Sequence, residues 1–211
     1  MQPVARLRFR FAEELDAAAI QAIYAPYCES SAVSFETKAP SVEEIGQRIQ
    51  KISDQFPWIV GERDCRVLGY AYGSRHSERA AYQWSVDATV YLSPLAQRIG
   101  LGRGLYTSLF HILALQGYHK VYAGITIPNA ASVGLHEAMG FTPVGIYRGV
   151  GYKLGSWHDV GWWQLGLQPE SDEPPAPCRF QEIRSSRAVQ EALGAGELLV
   201  KSVVKILSEN L

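Results

Sequence analysis

The sequence predicts a mixed α/β (α+β) fold in which a central sheet carries helices on both faces. Segments with the two-residue alternation of strands take turns with segments that have the 3.6-residue periodicity of helices, and the series ends in strands. The chain has 211 residues, of which 47% are hydrophobic, enough to build a sizeable core. These two observations favour one domain followed by a tail.

The elements are expected in an order that alternates along the chain. A capping box of Ser41 and Glu44 marks the start of the second helix, and Pro26 is expected to bend the first helix near its end. Strands are predicted at 7–11, 58–61, 67–72, 84–92, 121–125, 141–147 and 160–167, and helices at 15–27, 41–52, 98–116 and 132–139.

Three regions follow from this pattern: a main α/β domain at 1–168, a Pro-rich linker at 169–178 and a C-terminal helical extension at 179–211. The extension has an apolar stripe that must be buried against its own domain, a second subunit or another protein. We favour its own domain or a homodimer over a different partner. The stripe consists of Val189, Leu193, Leu199, Val203, Ile206 and Leu207.

Composition argues against several classes of protein. The formal net charge is −1 and only 19% of residues are charged, which argues against a nucleic-acid binder. No apolar run is long enough to cross a membrane, and the N-terminus has no secretory signal pattern. The three cysteines lack the spacing of a zinc site, so we expect no metal and a reduced, cytoplasmic setting.

A glycine-rich turn connects the strand at 84–92 to the following helix. The segment 97–104 contains three glycines and two arginines. Free backbone N–H groups and the positive end of a helix dipole can bind a phosphate there, and glycine lets the backbone approach it closely. The segment lacks the Gly-Lys-Ser/Thr ending of a P-loop, and an ordinary turn is the alternative.

The Gln-x-x-Gly-x-Gly pattern that starts at Gln97 resembles the acetyl-CoA signature of the GCN5-related N-acetyltransferase (GNAT) superfamily. The segment 127–141 is similar to the second cofactor segment of that superfamily. The segments 34–36, 56–58, 81–84 and 151–164 resemble the phosphinothricin acetyltransferase subfamily. The resemblance covers roughly 7–177. It implies the GNAT fold with a mostly antiparallel sheet, acetyl-CoA as co-substrate and a homodimer.

The strand at 84–92 carries the candidate general base. Its alternation puts Asp87 on the face opposite to the core residues, beside Thr89 and Tyr91. A carboxylate in a partly buried site tends to have a raised pKa, which suits a general base. The resemblance implies an acidic base here, usually glutamate. Because aspartate is one methylene shorter, a bridging water can replace direct contact; a purely structural Asp87 is the alternative.

The resemblance also implies the residues that bind acetyl-CoA. The strand is expected to splay from its neighbour, so that the backbone at Val90, Tyr91 and Leu92 faces the pantetheine arm, with the N–H of Val90 or Leu92 as oxyanion donor. Asn129 and Ser132 match the second cofactor segment, although Ser132 can simply be a helix N-cap and Asn129 a turn residue. The diphosphate is expected on the amides of Gln97, Arg98, Ile99, Gly100, Leu101 and Gly102, with Arg103 and Gly104 as further candidates.

His136 lies where many members of the superfamily have the tyrosine that protonates the departing thiolate. The phosphinothricin acetyltransferases have histidine there, and imidazole can act as an acid or relay near neutral pH. A structural histidine is the alternative.

Substrate contacts are assigned by the same resemblance and by charge. Phe35 resembles an aromatic wall of the amine pocket, and Tyr82 lies just before the catalytic strand. Arg79, with Arg75 as a second candidate, can pair with the carboxylate of an amino acid, and Lys153 is a further candidate. Each of these cations can also be an ordinary surface charge.

The sequence therefore predicts an N-acetyltransferase that moves an acetyl group from acetyl-CoA to the primary amine of a small amino-acid-like compound. The resemblance implies phosphinothricin, methionine sulfoximine or sulfone, or a related amino acid. Two alternatives stay open: an acetyltransferase acting on a protein or peptide, and a non-catalytic module that binds acyl-CoA.

Overall fold

The structure, a computed structural model, describes residues 7–200 as one seven-stranded sheet with helices on both faces. The predicted positions Val203, Ile206 and Leu207 lie outside the described residues. The strands are β1 (Arg8–Phe11), β2 (Trp58–Arg63), β3 (Arg66–Arg75), β4 (Ser85–Leu92), β5 (Lys120–Ile127), β6 (Thr142–Lys153) and β7 (Ser156–Gly166). The helices are α1 (Ala17–Glu29), α2 (Val42–Gln55), α3 (Leu101–Gln116), α4 (Ala130–Ala138), α5 (Phe180–Ile183) and α6 (Arg187–Glu197).

The strands lie in the order β1-β2-β3-β4-β5-β7-β6. Among these described strands, β4 and β5 form a parallel pair and all the other neighbours are antiparallel. The predicted mixed, mostly antiparallel sheet is therefore confirmed.

The parallel pair holds together over only part of its length. Its register runs from Ser85 opposite Lys120 to Asp87 opposite Tyr122, although both strands continue for five more residues. Beyond Asp87 the two strands diverge, which leaves backbone groups of β4 without strand partners on that side. The expected splay therefore begins at the residue predicted to be the base.

Two apolar clusters cover the two faces of the sheet. One packs α1 and α2 on β2 and β3, and the other packs α3 on the opposite face. The capping box at the start of α2 is confirmed, because the Ser41 hydroxyl accepts from the Glu44 N–H and the Glu44 carboxylate accepts from the Ser41 N–H. The expectation for Leu15 was wrong: it lies in a 3₁₀ turn before α1 and is 90% exposed.

The described part of the C-terminal extension docks on its own chain. The Ser108 hydroxyl of α3 donates to the Leu193 carbonyl of α6 over 2.7 Å, and the Phe9 N–H of β1 donates to the Glu197 carboxylate over 2.6 Å. Gly104 of α3 and Gly196 of α6 lie in direct backbone contact, with no room for a Cβ at either position. Gly196 lets α6 approach α3 closely.

The Pro-rich segment at 169–178 has no helix or strand, yet it is anchored to the sheet domain. The Trp84 indole N–H donates to the Pro175 carbonyl over 2.8 Å, and Gln116 of α3 donates to the Cys178 carbonyl over 2.9 Å. Within residues 7–200, every helix is too short or too polar to span a lipid bilayer.

Candidate active site

The gap between β4 and β5 opens into a pocket at the centre of the sheet. Its walls come from the diverging halves of both strands, from the start of α4 and from Val33 in the loop after α1. The lining residues are Val33, Ala88, Thr89, Val90, Tyr91, Tyr106, Ala123, Gly124, Ile125, Thr126, Asn129, Ser132 and His136. The predicted residues Val90, Tyr91, Asn129, Ser132 and His136 therefore meet in one place.

The register of β3 and β4 decides which backbone groups face this pocket. The Ser93 N–H donates to the Leu68 carbonyl, and the pairing continues without a bulge from Leu92 to Val86. Hydrogen-bonded and non-hydrogen-bonded pairs alternate along antiparallel strands. The N–H groups of Val90 and Leu92 therefore point away from β3, toward the gap. This orientation suits an oxyanion donor, which was the expectation for these two residues.

The glycine-rich turn has the backbone shape of an anion cradle. Arg98 and Gly100 both have positive φ values, 63° and 86°, and Gly100 is the N-cap of α3. The N–H groups at the first turn of a helix have no intrahelical partner and carry the positive end of its dipole. The expectation for Gly104 was wrong, because its N–H donates to the Gly100 carbonyl over 2.9 Å and so belongs to the helix.

Side chains in the turn divide between anchors and exposed cations. Ile99 and Leu101 are buried, at 3% and 1% exposure, and fix the turn to the core. Gln97, Arg98 and Arg103 are exposed. Within residues 7–200 neither arginine has a carboxylate partner, so both guanidinium groups can meet an anion. Ile99 and Leu101, whose side chains are buried, can contact an anion only through their backbone N–H groups.

The start of α4 completes the pocket wall. Asn129 is the N-cap of α4, and its side chain accepts from the Ser132 N–H over 3.1 Å. Both residues also line the pocket, so capping and ligand contact coexist. Ser132 itself is not the cap, which corrects one of the alternatives for it.

His136 is buried and both of its ring nitrogens are occupied. Nδ1 lies 2.8 Å from the Ser132 carbonyl and Nε2 lies 3.1 Å from the Tyr106 hydroxyl. The ring therefore donates to Ser132 and accepts from Tyr106. Burial lowers the pKa of His136, and the bond to Ser132 offsets part of that effect. A neutral, fully bonded ring is poorly placed to protonate a thiolate directly, so Tyr106, which lines the same pocket, is the group it can act through.

Asp87 is paired with a histidine that the sequence did not single out. Its Oδ1 lies 2.6 Å from Nδ1 of His76, which follows β3 directly. The two side chains are 29% and 22% exposed. Burial raises the pKa of Asp87, while the hydrogen bond and charge of His76 oppose the rise. The raised pKa expected of a general base is therefore present, but the carboxylate already has a partner.

Aromatic rings hold His76 in place. Its ring stacks on Tyr122 of β5 at 4.4 Å, meets Trp162 of β7 edge-on at 6.1 Å and lies 5.9 Å from Tyr82. Trp162 in turn covers Gly124, which lines the pocket. Trp162 therefore contacts both His76 and the wall of the pocket.

Phe35 lies on the loop between α1 and α2, near the pocket, and Lys153 holds that loop. The Lys153 ammonium is 5% exposed and donates to the carbonyls of Ser34 and Glu36, at 2.6 and 2.7 Å. Phe35, which lies between Ser34 and Glu36 in the chain, packs its ring against Gly151. The expectation that Lys153 contacts substrate is corrected: its charge is used to fasten the loop that carries Phe35.

The structure separates the two candidate arginines from the pocket. Arg75 lies opposite Val86 in the β3–β4 register, and residues directly opposite share a face. Its side chain therefore leaves the sheet on the face opposite to Asp87, where it pairs with Glu78 at 3.1 Å. This corrects the expectation for Arg75. Arg79 lines a second depression together with Arg75 and Tyr82. This depression has no lining residue in common with the pocket between β4 and β5.

Sequence reasoning missed His76 and Tyr106. The two-residue alternation of β3 could have indicated His76. Ser74 lies opposite Asp87, and His76, two residues later, is expected on the same face of the sheet. Tyr106 was hidden within an apolar helix stripe, where tyrosine is an ordinary core residue.

The arrangement fits acetyl-CoA on structural grounds. The α3 N-terminus and its left-handed turn suit a diphosphate, the two exposed arginines add positive charge, and the strand gap has the open backbone edge that a pantetheine amide can pair with. Within the described residues, no cluster of three or more His, Cys, Asp or Glu side chains is placed to hold a metal ion.

Comparisons with known proteins agree with this arrangement. Residues 9–162 match the family described as acetyltransferase (GNAT) domain. The chain is 42% identical over 180 residues to phosphinothricin N-acetyltransferase of Streptomyces viridochromogenes, covering 85% of this chain and 97% of that protein. It is 32% identical over 172 residues to the L-methionine sulfoximine/L-methionine sulfone acetyltransferase of Salmonella typhimurium, covering 81% and 98%.

A solved structure gives the same result at the level of the fold. The GNAT superfamily phosphinothricin acetyltransferase from Sinorhizobium meliloti, in complex with AcCoA, superposes with a TM-score of 0.76 and 30% identity. The match covers 80% of this chain and 93% of that one. The family match, the close relatives and the shared fold lead to one conclusion: this chain belongs to the GNAT family of acetyltransferases.

Proposed function

We propose that this protein transfers an acetyl group from acetyl-CoA to the primary amine of a small amino-acid-like compound. The observation that carries the proposal is the gap between β4 and β5, where Asp87, the free N–H groups of β4 and the N-terminus of α3 lie along one path. The relatives named for phosphinothricin and methionine sulfoximine support phosphinothricin, methionine sulfoximine or sulfone, or a related amino acid as substrate.

The chemistry follows from the order of the groups along the gap. An ammonium has no lone pair, so a base must take one proton before the nitrogen can attack the thioester carbonyl. Asp87 supplies that base, directly or through an intermediary. The negative charge that develops on the carbonyl oxygen is met by the Val90 or Leu92 N–H. Tyr106, whose hydroxyl is bonded to His136 and which lines the pocket, is the proposed donor of a proton to the departing sulfur.

The remaining site residues have supporting roles. The N–H groups and cations of the turn at 97–103 bind the diphosphate, and Asn129 and Ser132 bound the pantetheine arm. Phe35 forms one wall of the amine pocket. The ring of Tyr82 lies 5.9 Å from that of His76, and Arg79 lines the neighbouring depression with Tyr82. These two residues stay the candidates for the carboxylate of the substrate.

Release of free thiol from acetyl-CoA tests this function. The assay covers a panel of amino acids with phosphinothricin and methionine sulfoximine, and a set of peptides. Turnover with a small amino acid supports the proposal, and Asp87→Ala is expected to lose most of that turnover while acetyl-CoA binding stays. Turnover with peptides alone would support a protein acceptor instead. Acetyl-CoA binding without any turnover would support a non-catalytic module.

A homodimer is also part of the proposal, and the β6–β7 hairpin is the proposed interface. β6 is an edge strand, and a second copy of it can pair with it across a two-fold axis. Large apolar side chains are exposed along the hairpin: Val144, Ile146, Tyr147, Val150, Tyr152, Leu154 and Trp157. Light scattering of Trp157→Glu, which is expected to be monomeric where the parent chain is dimeric, tests this interface; an unchanged mass would contradict it.

A cytoplasmic location is proposed as well. Its support is the three cysteines, Cys28, Cys65 and Cys178, which are all unpaired in the structure.

A further inference from the structure

We propose that the proton of the attacking amine is taken by the His76 imidazole, and that Asp87 acts on the reaction by orienting and stabilising that ring. This inference rests on the proposed acetyl transfer and concerns which side chain is the base. Its starting point is a contact: His76 Nδ1 and Asp87 Oδ1 are 2.6 Å apart.

The contact fixes the proton positions on the ring. An ionised carboxylate can only accept, so Nδ1 must carry the hydrogen that bonds to Asp87. In a neutral imidazole the other nitrogen, Nε2, then has the free lone pair. Among residues 7–200, the hydrogen bond to Asp87 is the one recorded for this ring. His76 therefore presents a basic nitrogen whose tautomer the carboxylate selects, as an orienting carboxylate does for a catalytic histidine.

The short side chain of Asp87 also favours His76 as the base. An aspartate is one methylene shorter than the glutamate that the superfamily usually has at this position. The imidazole extends the basic group beyond the carboxylate, and so it takes the place of a bridging water. The ring is also held rigidly, because it stacks on Tyr122 at 4.4 Å and meets Trp162 edge-on. Fixed geometry of this kind is what a proton acceptor needs.

Few polar groups face His76. They are the Asp87 carboxylate from β4 and the hydroxyl-bearing rings of Tyr122 from β5 and Tyr82 from the 3₁₀ turn. On its own segment, Arg75 is paired with Glu78.

The proton and electron balance is simple. The ammonium gives one proton to Nε2 and becomes a neutral amine. Its lone pair forms the C–N bond to the thioester carbonyl carbon, and the C–S bond breaks with its electron pair on sulfur. The nitrogen then loses a second proton, which is balanced by protonation of the thiolate. The imidazolium returns its proton to solvent, so the products are the acetylated amine and free CoA thiol.

The test compares pH profiles of kcat/KM for variants that keep or remove the basic nitrogen. His76→Asn keeps an N–H donor for Asp87 but cannot accept a proton, and His76→Gln is a second variant in case the first is unstable. We expect each to lose roughly hundredfold or more in kcat. We also expect the fall in activity at low pH to disappear, because no imidazolium can form. Asp87→Asn should keep some activity, because the basic nitrogen of His76 stays in place and loses only the carboxylate that orients the ring.

Controls distinguish the loss of a base at His76 from misfolding of the variant and from failure of the proposed acetyl transfer itself. His111→Asn, an exposed histidine on α3, should behave like the parent chain. Acetyl-CoA affinity and the unfolding midpoint should be unchanged in the His76 variants. A folded His76 variant that keeps activity within about tenfold and the parental pH profile would overturn the inference and leave acetyl transfer intact. Absence of turnover in the parent chain with every amine would overturn both.

Discussion

Docking of the C-terminal extension through Gly196 leads to a prediction with a matched control in the same helix. A Cβ at Gly196 would collide with the Gly104 carbonyl and the Ser108 hydroxyl of α3, whereas a Cβ at Gly194 would have no atom within 4 Å. Both glycines lie in α6, so Gly→Ala gains helix propensity equally at the two positions. Any difference between the two variants must therefore come from the contact with α3.

The expected change in the free energy of unfolding follows from the gain in helix propensity and the cost of the collision with α3. Alanine in place of glycine within a helix gains about 1 kcal/mol. Gly194→Ala should therefore raise the unfolding midpoint by roughly 2–4 °C for a chain of this size. At Gly196 the colliding group is backbone, which cannot rotate away, so overpacking should cost the upper end of its usual range, about 3 kcal/mol. The net loss of about 2 kcal/mol should lower the midpoint by roughly 4–8 °C.

Differential scanning calorimetry or circular dichroism of the two variants beside the parent chain measures the difference. The unfolding midpoint is expected to be highest for Gly194→Ala, lower for the parent chain and lowest for Gly196→Ala. Equal midpoints for the two variants would refute the reasoning, because they would mean that α6 does not lie against α3 through Gly196.

Three further predictions concern the site. Lys153→Met should raise the KM for the amine about tenfold with little effect on acetyl-CoA affinity, because charged hydrogen bonds of about 1.5–3 kcal/mol no longer hold the Phe35 loop; equal changes in both constants would contradict this. Arg98→Ala should weaken acetyl-CoA binding, measured by calorimetry, about fivefold at low salt and less at high salt, and a salt-independent loss would argue against a phosphate contact. Arg75→Ala should leave the KM for an amino-acid substrate within about twofold, since the loss of an exposed ion pair costs little, whereas a tenfold rise would return Arg75 to the substrate site.

The elements of the fold were largely predictable because their signals are local. The alternation of the strand around Asp87 and the capping box at Ser41 each depend on a few neighbouring residues, and the structure has both. Boundaries were less predictable: β6 begins near the expected position but continues to Lys153, since its pairing with β7 stabilises a strand that local propensity does not extend.

The shape of the site was predictable where it depends on the backbone and less so where it depends on a charged side chain. The turn before α3 could be expected from the placement of its glycines, and the open edge of β4 from the family resemblance. The roles of Arg75 and Lys153 could not, since a long cationic side chain can reach several partners and only the sheet register and the carbonyls of Ser34 and Glu36 select among them.

The sequence by itself determined the mixed sheet, the glycine-rich turn before α3, the position of the carboxylate and, through its motifs, the family. Only the tertiary structure decided that Asp87 is bonded to His76, that His136 is bonded to Tyr106 and that Gly104 packs against Gly196. The physical reason is the same in each case. These contacts join strands and helices that are far apart in the chain, and a side chain's partner is set by which elements the fold brings within hydrogen-bonding distance.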